Sequence, residues 1–359
     1  MKIVQLLPEL NEGGVERGTV ELGRELAKRG FESVVISNGG KLVKQLEKDS
    51  LHVEFDICSK NPFSAIWRVF VLRKILKELN PDILHARSRV PAWLVYFANK
   101  NLKIPLVSTV HGFNSVSFYS RIMTKADKII CVSGAIKEYI QQHYNIKEDK
   151  ITIIPRGIDL VKFSAEKLDE NFIKEFKSRF DLNNKFIVST VGRITQLKDL
   201  ETFIKAIGLV QKKFPNVVGL IVGGVRADKQ KYFENLKNLA SSLDANIVFT
   251  GSQEKIAEIY HISSVVTSSS KKPESFGRSV AEAIALNTPV IATKHGGVLD
   301  IIIENTNGYF VEVGDEEGLA KQIIKAKNLS FDGFSYVKEY FSLEQMVEKT
   351  IKVYKSLEK

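Results

Sequence analysis

Residues 264–294 read SVVTSSSKKPESFGRSVAEAIALNTPVIATK. SVVTSSS has the β-branched character of a strand, KKPESFG is a loop, SVAEAIAL a helix and PVIATK a second strand. Two glutamates fall in this stretch, Glu274 in the loop and Glu282 within the first turns of the helix, with seven residues between them. Ser279 and Glu282 also fit the S-x-x-E pattern of a helix capping box. Glu282 therefore closes a helix end or holds a ligand, and the residues alone leave both readings open. Were both carboxylates helical, they would stand roughly 12 Å apart along the axis. That is too far for hydrolysis by a carboxylate pair. Different partners are expected, one on each part of a long ligand.

Outward from this stretch the same rhythm runs through the chain. KIVQLL, ESVVIS, HVEFD, DILHAR, PLVSTV, KIICVS and ITIIP mark the first half; KFIVSTVG, VVGLIVGG, NIVFTG, SVVTSSS, PVIATK and GYFVEV mark the second. Amphipathic segments lie between, as where Val15, Thr19, Leu22 and Leu26 recur at helical spacing before Gly30. Strands alternating with helices argue for an α/β fold of parallel sheets covered on both faces. A length of 359 residues suggests two such domains. The pattern pauses at 160–184, a charged and helical stretch without a strand, where the junction is expected. After Asp315 only two helical segments are expected. The resulting boundaries are 1–165, 166–335 and a terminal helix in 336–359, packing back toward the first domain. Two doubly wound domains would face a central cleft, with ligands at the carboxyl ends of the strands.

Composition narrows the class. The chain is 44% hydrophobic and 26% charged, as in ordinary globular proteins. No apolar run approaches the roughly 18 residues of a membrane-spanning helix, and IVQLL after Lys2 is too short for a signal peptide. Cys58 and Cys131 sit in strand patterns without metal-ligand spacing, which fits a reducing cytoplasm. Residues 1–165 hold 25 Lys and Arg against 17 Asp and Glu, so +8 of the net +10 lies there. That charge suits an anionic partner or a merely solvated surface. FSAIWRVFVLRKILKEL (63–79) carries Trp67 and Phe70 among Arg68, Arg73, Lys74 and Lys77. It reads as an interfacial helix on anionic lipid, or as a sheet-covering helix with its cations in water.

Strand exits supply the candidate site residues. Gly13 and Gly14 open a helix after the first strand, where an anion can approach backbone N–H groups; a tight turn explains them as well. There is no G-x-G-x-x-G. His111 follows PLVSTV and either donates to a sugar hydroxyl or caps a turn. Arg87 and Arg89 leave the fourth strand toward an acceptor phosphate, or are surface charge. Gly192-Arg193 ends a strand and Lys198 follows, two cations suited to a departing diphosphate. Gly223, Gly224 and Gly251 also fall at strand exits.

These residues together resemble the retaining glycosyltransferases of family 4. Glu274-Ser-Phe-Gly-Arg-Ser-Val-Ala-Glu282 is similar to their E-x7-E signature, and the likeness runs from GGVER to HGGVLDII and NGYFVEVGD. The resemblance implies the GT-B fold, with an acceptor-binding first domain and a nucleotide-sugar-binding second. It implies that Arg193 and Lys198 bind the donor diphosphate, Glu274 the transferred sugar and Glu282 the ribose hydroxyls. Gly13 and Gly14 leave room beside the phosphates, and His111 hydrogen-bonds the sugar. The backbone of Phe276, Gly277, Arg278 and Ser279 touches phosphate or sugar. Beside what the resemblance implies, Glu16 is assigned to the acceptor together with Arg87 and Arg89, and Arg156, at a strand exit, touches an anionic acceptor or is a mere substitution in a turn. With no D-x-D in the chain, metal-independent transfer with retention is expected, without cofactor. The implied reaction moves a hexose from a UDP-linked sugar to lipopolysaccharide, capsule or a lipid-linked glycan. A nucleotide-sugar epimerase, or a non-catalytic sugar-nucleotide-binding subunit of a glycan-assembly complex, is the alternative. Attachment to the inner face of the cytoplasmic membrane through the basic first domain is a further expectation; nucleic acid is not expected as a partner.

Three positions depart from the family pattern: Pro155-Arg156-Gly157 where Asn-Gly is usual, Asp300 in place of Glu, and Gly223-Gly224-Val225 without an acid. They bear on donor identity more than on reaction class. On the donor-site reading the helix starts near Gly277, and the Glu282 carboxylate points into the cleft instead of back to the N–H of Ser279.

Overall fold

Apolar β-branched runs form the strands, most of them are followed by a helix and Leu106–Val110 and Val290–Thr293 by a short 3-10 turn, and every strand pairing is parallel among the described residues. The structure, a computed structural model, describes residues 1–11 and 13–358. The chain divides into two compact units, Met1–Gly157 with Leu343–Lys359, and Ile158–Ser342.

The first unit holds strands β1 (Lys2–Leu6), β2 (Glu32–Ser37), β3 (Leu51–Glu54), β4 (Ile83–Ala86), β5 (Leu106–Val110), β6 (Lys128–Cys131) and β7 (Ile151–Ile153). Their order is β3-β2-β1-β4-β5-β6-β7. The second unit holds β8 (Phe186–Val191), β9 (Val217–Val222), β10 (Ile247–Gly251), β11 (Val265–Ser268), β12 (Val290–Thr293) and β13 (Gly308–Val311). They follow the order β10-β9-β8-β11-β12-β13. Both are Rossmann-like, doubly wound α/β sheets, as expected, and every expected strand run forms one. The strand order reverses beside β1 and beside β8, where successive connections cover opposite faces. The crevice outside the carboxyl ends of the strands at such a reversal is open to a ligand.

Register follows burial. Ile3 pairs with Ser33 on one side and Ile83 on the other, and all of β4, β5, β9, β11 and β12 is buried. Cys131 is buried at the end of β6 and Cys58 is half-buried; both are free thiols.

The boundaries differ from those expected at 165/166 and 335/336. Ile158 and Phe163 are buried in the core of the second unit, and Ile158 N–H donates to Phe341 O at 2.8 Å. The first unit therefore ends eight residues earlier than charge alone suggests. Three helices, Glu316–Ala326, Gly333–Tyr340 and Leu343–Lys355, follow the last strand instead of two. Val337 in the second of them packs in the second unit, while Val347, Val353 and Tyr354 in the third complete the core of the first, against Ile3, Ile83 and Val107. The helix Pro62–Leu79 buries Leu72 and Leu76 but also Arg68, which is 2% exposed. Of the two readings of this helix, the sheet-covering one, with its cations in water, is corrected at that residue.

Candidate functional site

The reversal point of the second sheet gathers the residues singled out around Glu274. β8 and β11 are neighbours, so the loops leaving them run side by side. The serines at the exit of β11 hold that arrangement: Ser269 Oγ donates to the carbonyls of Lys198 and Asp199 at 3.1 and 3.2 Å. Asp199, in a left-handed conformation (φ 49°), is buried and accepts from Thr202 at 2.9 Å, and it pairs with Lys271 at 3.1 Å. These contacts fix Lys198 so that its Nζ donates to Glu274 Oε1 at 2.5 Å. The same oxygen accepts from Ser270 Oγ at 2.8 Å and Ser268 Oγ at 3.2 Å. Burial pushes the Glu274 carboxyl up, but the Lys198 charge and these hydrogen bonds outweigh it and hold its pKa below the usual value. The site thus has an ionised carboxylate and an ammonium in contact. Arg193, in the same loop after β8 as Lys198, is exposed, and no ion pair engages its guanidinium among the described residues.

Close backbone approach explains the glycines. A Cβ at Gly223 would collide with the carbonyl of Gly192, so the exits of β8 and β9 touch. Gly296 and Gly297 lie against the Glu274 loop: Gly297 N–H donates to Glu274 O at 2.7 Å, and a Cβ there would stand 2.5 Å from Phe276 Cα. Gly277, with φ 100°, is the N-cap of the helix Arg278–Ala285, and no side chain caps that end. Ser279 is the second helical residue and not the cap, so the capping box does not form. Glu282 Oε1 accepts from Arg278 Nε at 2.9 Å and Oε2 from the Tyr260 hydroxyl at 3.3 Å. Burial raises its pKa, with Arg278 opposing. The two glutamates have separate partners, as the spacing suggested. Phe276 is a core side chain, 3% exposed, so only its backbone is available to a ligand.

The first unit carries a separate group of polar residues at its own reversal point. A pocket of about 290 Å³ is lined by Glu16, Arg87, Arg89 and His111, among others. Arg87 is buried and donates to Gln5 Oε1 at 3.1 Å, while its Nε has no partner among the described residues. Burial lowers its pKa to about 10, so it stays charged at neutral pH. Burial, then Arg87, Arg156 and His85, hold the His111 imidazole well below its usual pKa. It is neutral, and neither ring nitrogen has a partner among the described residues. Arg156 reaches the His111 carbonyl at 3.5 Å, and its guanidinium lies where a Cβ of Gly14 would be; a Cβ at Gly13 would collide with the Glu16 carboxylate. Arg89 donates to Ser120 Oγ at 3.0 Å and stacks over Tyr119. These residues form a cationic pocket with one carboxylate at its edge, a geometry suited to an anionic, hydroxyl-rich ligand.

Sequence reasoning missed Ser268, Ser270, Tyr260 and Gln5. Three serines closing an otherwise apolar strand were a readable signal for the first two; Tyr260 and Gln5 reach their partners only through tertiary packing.

Residues 12–162 match the family model described as Glycosyltransferase Family 4, and residues 171–339 the one described as Glycosyl transferases group 1. A crystal structure of a glycosyltransferase from Rickettsia africae is 33% identical, with a TM-score of 0.90 over 99% of this chain and 98% of its own. The capsular polysaccharide biosynthesis glycosyltransferase CapM of Staphylococcus aureus is 25% identical over 91% of this chain and 88% of its own. HepE of Anabaena, solved in complex with UDP-glucose, shares the fold at 20% identity, with a TM-score of 0.84 over 99% and 100%. The two matches succeed one another along the chain, and the Rickettsia relative spans both units. The chain belongs to the group 1 glycosyltransferases of family 4.

Proposed function

We propose that this glycosyltransferase moves a hexose from a UDP-linked sugar to a saccharide acceptor of a capsule, lipopolysaccharide or lipid-linked glycan, with retention and without a metal. The observation that carries the reading is the Lys198–Glu274 pair at the β8/β11 reversal, with exposed Arg193 in the same loop as Lys198. A leaving diphosphate gains negative charge as its bond to the anomeric carbon breaks, and two cations, one of them already held in place, stabilise that charge. In this reading Lys198 and Arg193 hold the diphosphate, and backbone N–H groups at Gly277–Ser279 add the positive end of a helix. Glu274 accepts from the hydroxyls of the transferred sugar, and Glu282, held by Arg278 and Tyr260, takes the ribose. Neutral His111 hydrogen-bonds the sugar. Glu16, Arg87, Arg89 and Arg156 take the acceptor, which their charge suits if it carries phosphate.

The acceptor oxygen bonds to the anomeric carbon from the face the diphosphate leaves. Its proton passes to the departing phosphate oxygen, so no protein base is consumed. HepE, of the same fold, binds UDP-glucose, and CapM acts in capsular polysaccharide biosynthesis; both support the donor and acceptor classes named here.

The test is a donor screen. The protein is incubated with each nucleotide sugar, with and without a lipid extract, and nucleoside diphosphate release is measured. Release from a UDP-sugar that survives chelation by EDTA is expected. Failure to release from any donor sinks the reading, and loss of release on chelation sinks its metal-free part.

A further inference from the structure

Along one face of the helix Pro62–Leu79, large apolar side chains stand in water. Phe63 is 91% exposed, Ile66 69%, Trp67 62% and Phe70 60%. Their spacing puts them on a single stripe, opposite the buried Leu72 and Leu76. The stripe continues onto the next helix, Arg89–Asn99, because Arg73 crosses from Phe70 to the Phe97 and Ala98 carbonyls at 3.0 Å each. Trp93 then stacks with Phe97 and packs at a tilt against Phe118, which is 77% exposed. Between the two helices lies an apolar pocket of about 430 Å³, walled by Ala65, Val90, Trp93, Leu94 and Tyr119.

Arg68 also lines this pocket. It is 2% exposed, and only its Nη2 is engaged, donating to Asn61 O at 3.1 Å; Nε and Nη1 have no partner among the described residues. Asp56 feels its charge, but that carboxylate already accepts from the N–H groups of Cys58 and Ser59. A buried guanidinium with two unfilled donors is costly unless an anion completes it. The surrounding charge has the same sign. Residues 56–127 hold eleven Lys and Arg against four acids, Asp56, Glu78, Asp82 and Asp127.

We propose that this face docks on an anionic lipid bilayer, the stripe entering the acyl region and a lipid phosphate completing Arg68 at the pocket. An apolar stripe ringed by cations fits a negatively charged leaflet. It does not fit a second copy of the same face, whose cations would oppose it. The docking is independent of the sugar transferred.

The chain's two tryptophans both lie on this face, Trp67 on the stripe and Trp93 on the pocket wall, so they report on it directly. The full chain is mixed with phosphatidylcholine vesicles, with phosphatidylcholine–phosphatidylglycerol vesicles, and with the latter carrying brominated acyl chains. Sedimentation and tryptophan emission are read at low and high salt. Binding to the anionic vesicles only, a blue shift, quenching by bromine and weakening with salt are expected. Partition should fall at least about tenfold in Phe63→Ser/Ile66→Ser. Arg68→Gln should weaken it too. If that buried substitution fails to fold, Lys74→Glu/Lys77→Glu tests the charge from exposed positions and should lower partition to a similar extent. Equal binding to neutral vesicles, no quenching, or undiminished partition of the double variants overturns the proposal. So does a blue shift that follows protein concentration without vesicles, which would mean self-association. A blue shift with inorganic phosphate and no vesicle binding overturns it as well.

Discussion

Lys198 and Glu274 satisfy each other in the free protein, and that mutual hold is what a donor must compete with. Glu274→Gln keeps the shape and an acceptor for Ser268 and Ser270 but removes the charge facing Lys198. Lys198→Ala removes the cation from the leaving group. Each is expected to lower kcat for nucleoside diphosphate release by about 10²–10³, the usual cost of one preorganised group. Glu274→Gln should leave the melting temperature within a few degrees, so that lost activity is not lost folding; full activity in either variant would remove the pair from the reaction. His85 and His111 make the opposite kind of statement, about stability. His85 is buried between the Tyr354 hydroxyl and Thr109 Oγ1, 2.7 Å from each, and burial holds its pKa well below the ordinary 6.5, as for His111. A depressed base takes its proton more readily when unfolded. The unfolded chain therefore binds more protons below pH 6.5, and stability falls as pH drops through that window, by at most about 1.4 kcal/mol per pH unit for each imidazole. Denaturant midpoints from pH 7 downward should show this decline, with a smaller slope in His111→Asn. An unchanged slope in that variant would mean that His111 protonates in the fold.

The loops of the second sheet are shaped by glycine, and their tolerance differs sharply from one position to the next. Gly297→Ala would press a methyl group onto the backbone of Ser275 and Phe276, 2.5 to 2.7 Å away. The Glu274 loop would have to shift, at a cost of about 1–3 kcal/mol. Gly208, inside the helix Leu200–Gln211, has only Ala245 Cβ at 3.7 Å, so Gly208→Ala should be neutral or stabilising by up to about 1 kcal/mol. Urea unfolding checks both, and donor release should fall only in the first. Equal activity in the two would show that the loop does not position Glu274. The same contrast shows what was legible beforehand. Buried parallel strands are written as β-branched runs, so every strand could be read, and turn glycines mark strand exits. Which glycine bears a tertiary contact is set by residues far along the chain, as with Gly223 against Gly192. Glu282 was ambiguous because S-x-x-E is a local pattern, while its real partners, Arg278 and Tyr260, include a residue from another helix. The burial of Arg68 is not written locally either, since the pocket it lines is completed by Trp93 and Leu94 of another helix.

The chain leaves its first unit at Gly157 and returns to it at Leu343, so the last helix closes a core begun by the first strand. Charge and period indicate that a terminal helix exists but not where it packs, because Val347, Val353 and Tyr354 find their partners more than two hundred residues earlier. Tyr354 is the center of this closure. It is fully buried, packs with Ile3, Ile83 and Val107, and hydrogen-bonds the His85 ring. Tyr354→Ala removes an aromatic side chain and leaves a buried imidazole nitrogen unfilled, together about 3–5 kcal/mol. Each unit has its own apolar core, so the loss should be confined. The transition of the first unit is expected to fall by roughly 10 °C for a unit of this size. Hydrogen exchange separates the two: amides of β1 and β5 should lose protection in Tyr354→Ala, while those of β8 and β9 keep theirs. Equal loss in both sheets would show that the units unfold as one. Unchanged protection in β1 would show that the last helix is dispensable to the first sheet. With the loss confined to β1 and β5, the final helix is a structural part of the first unit.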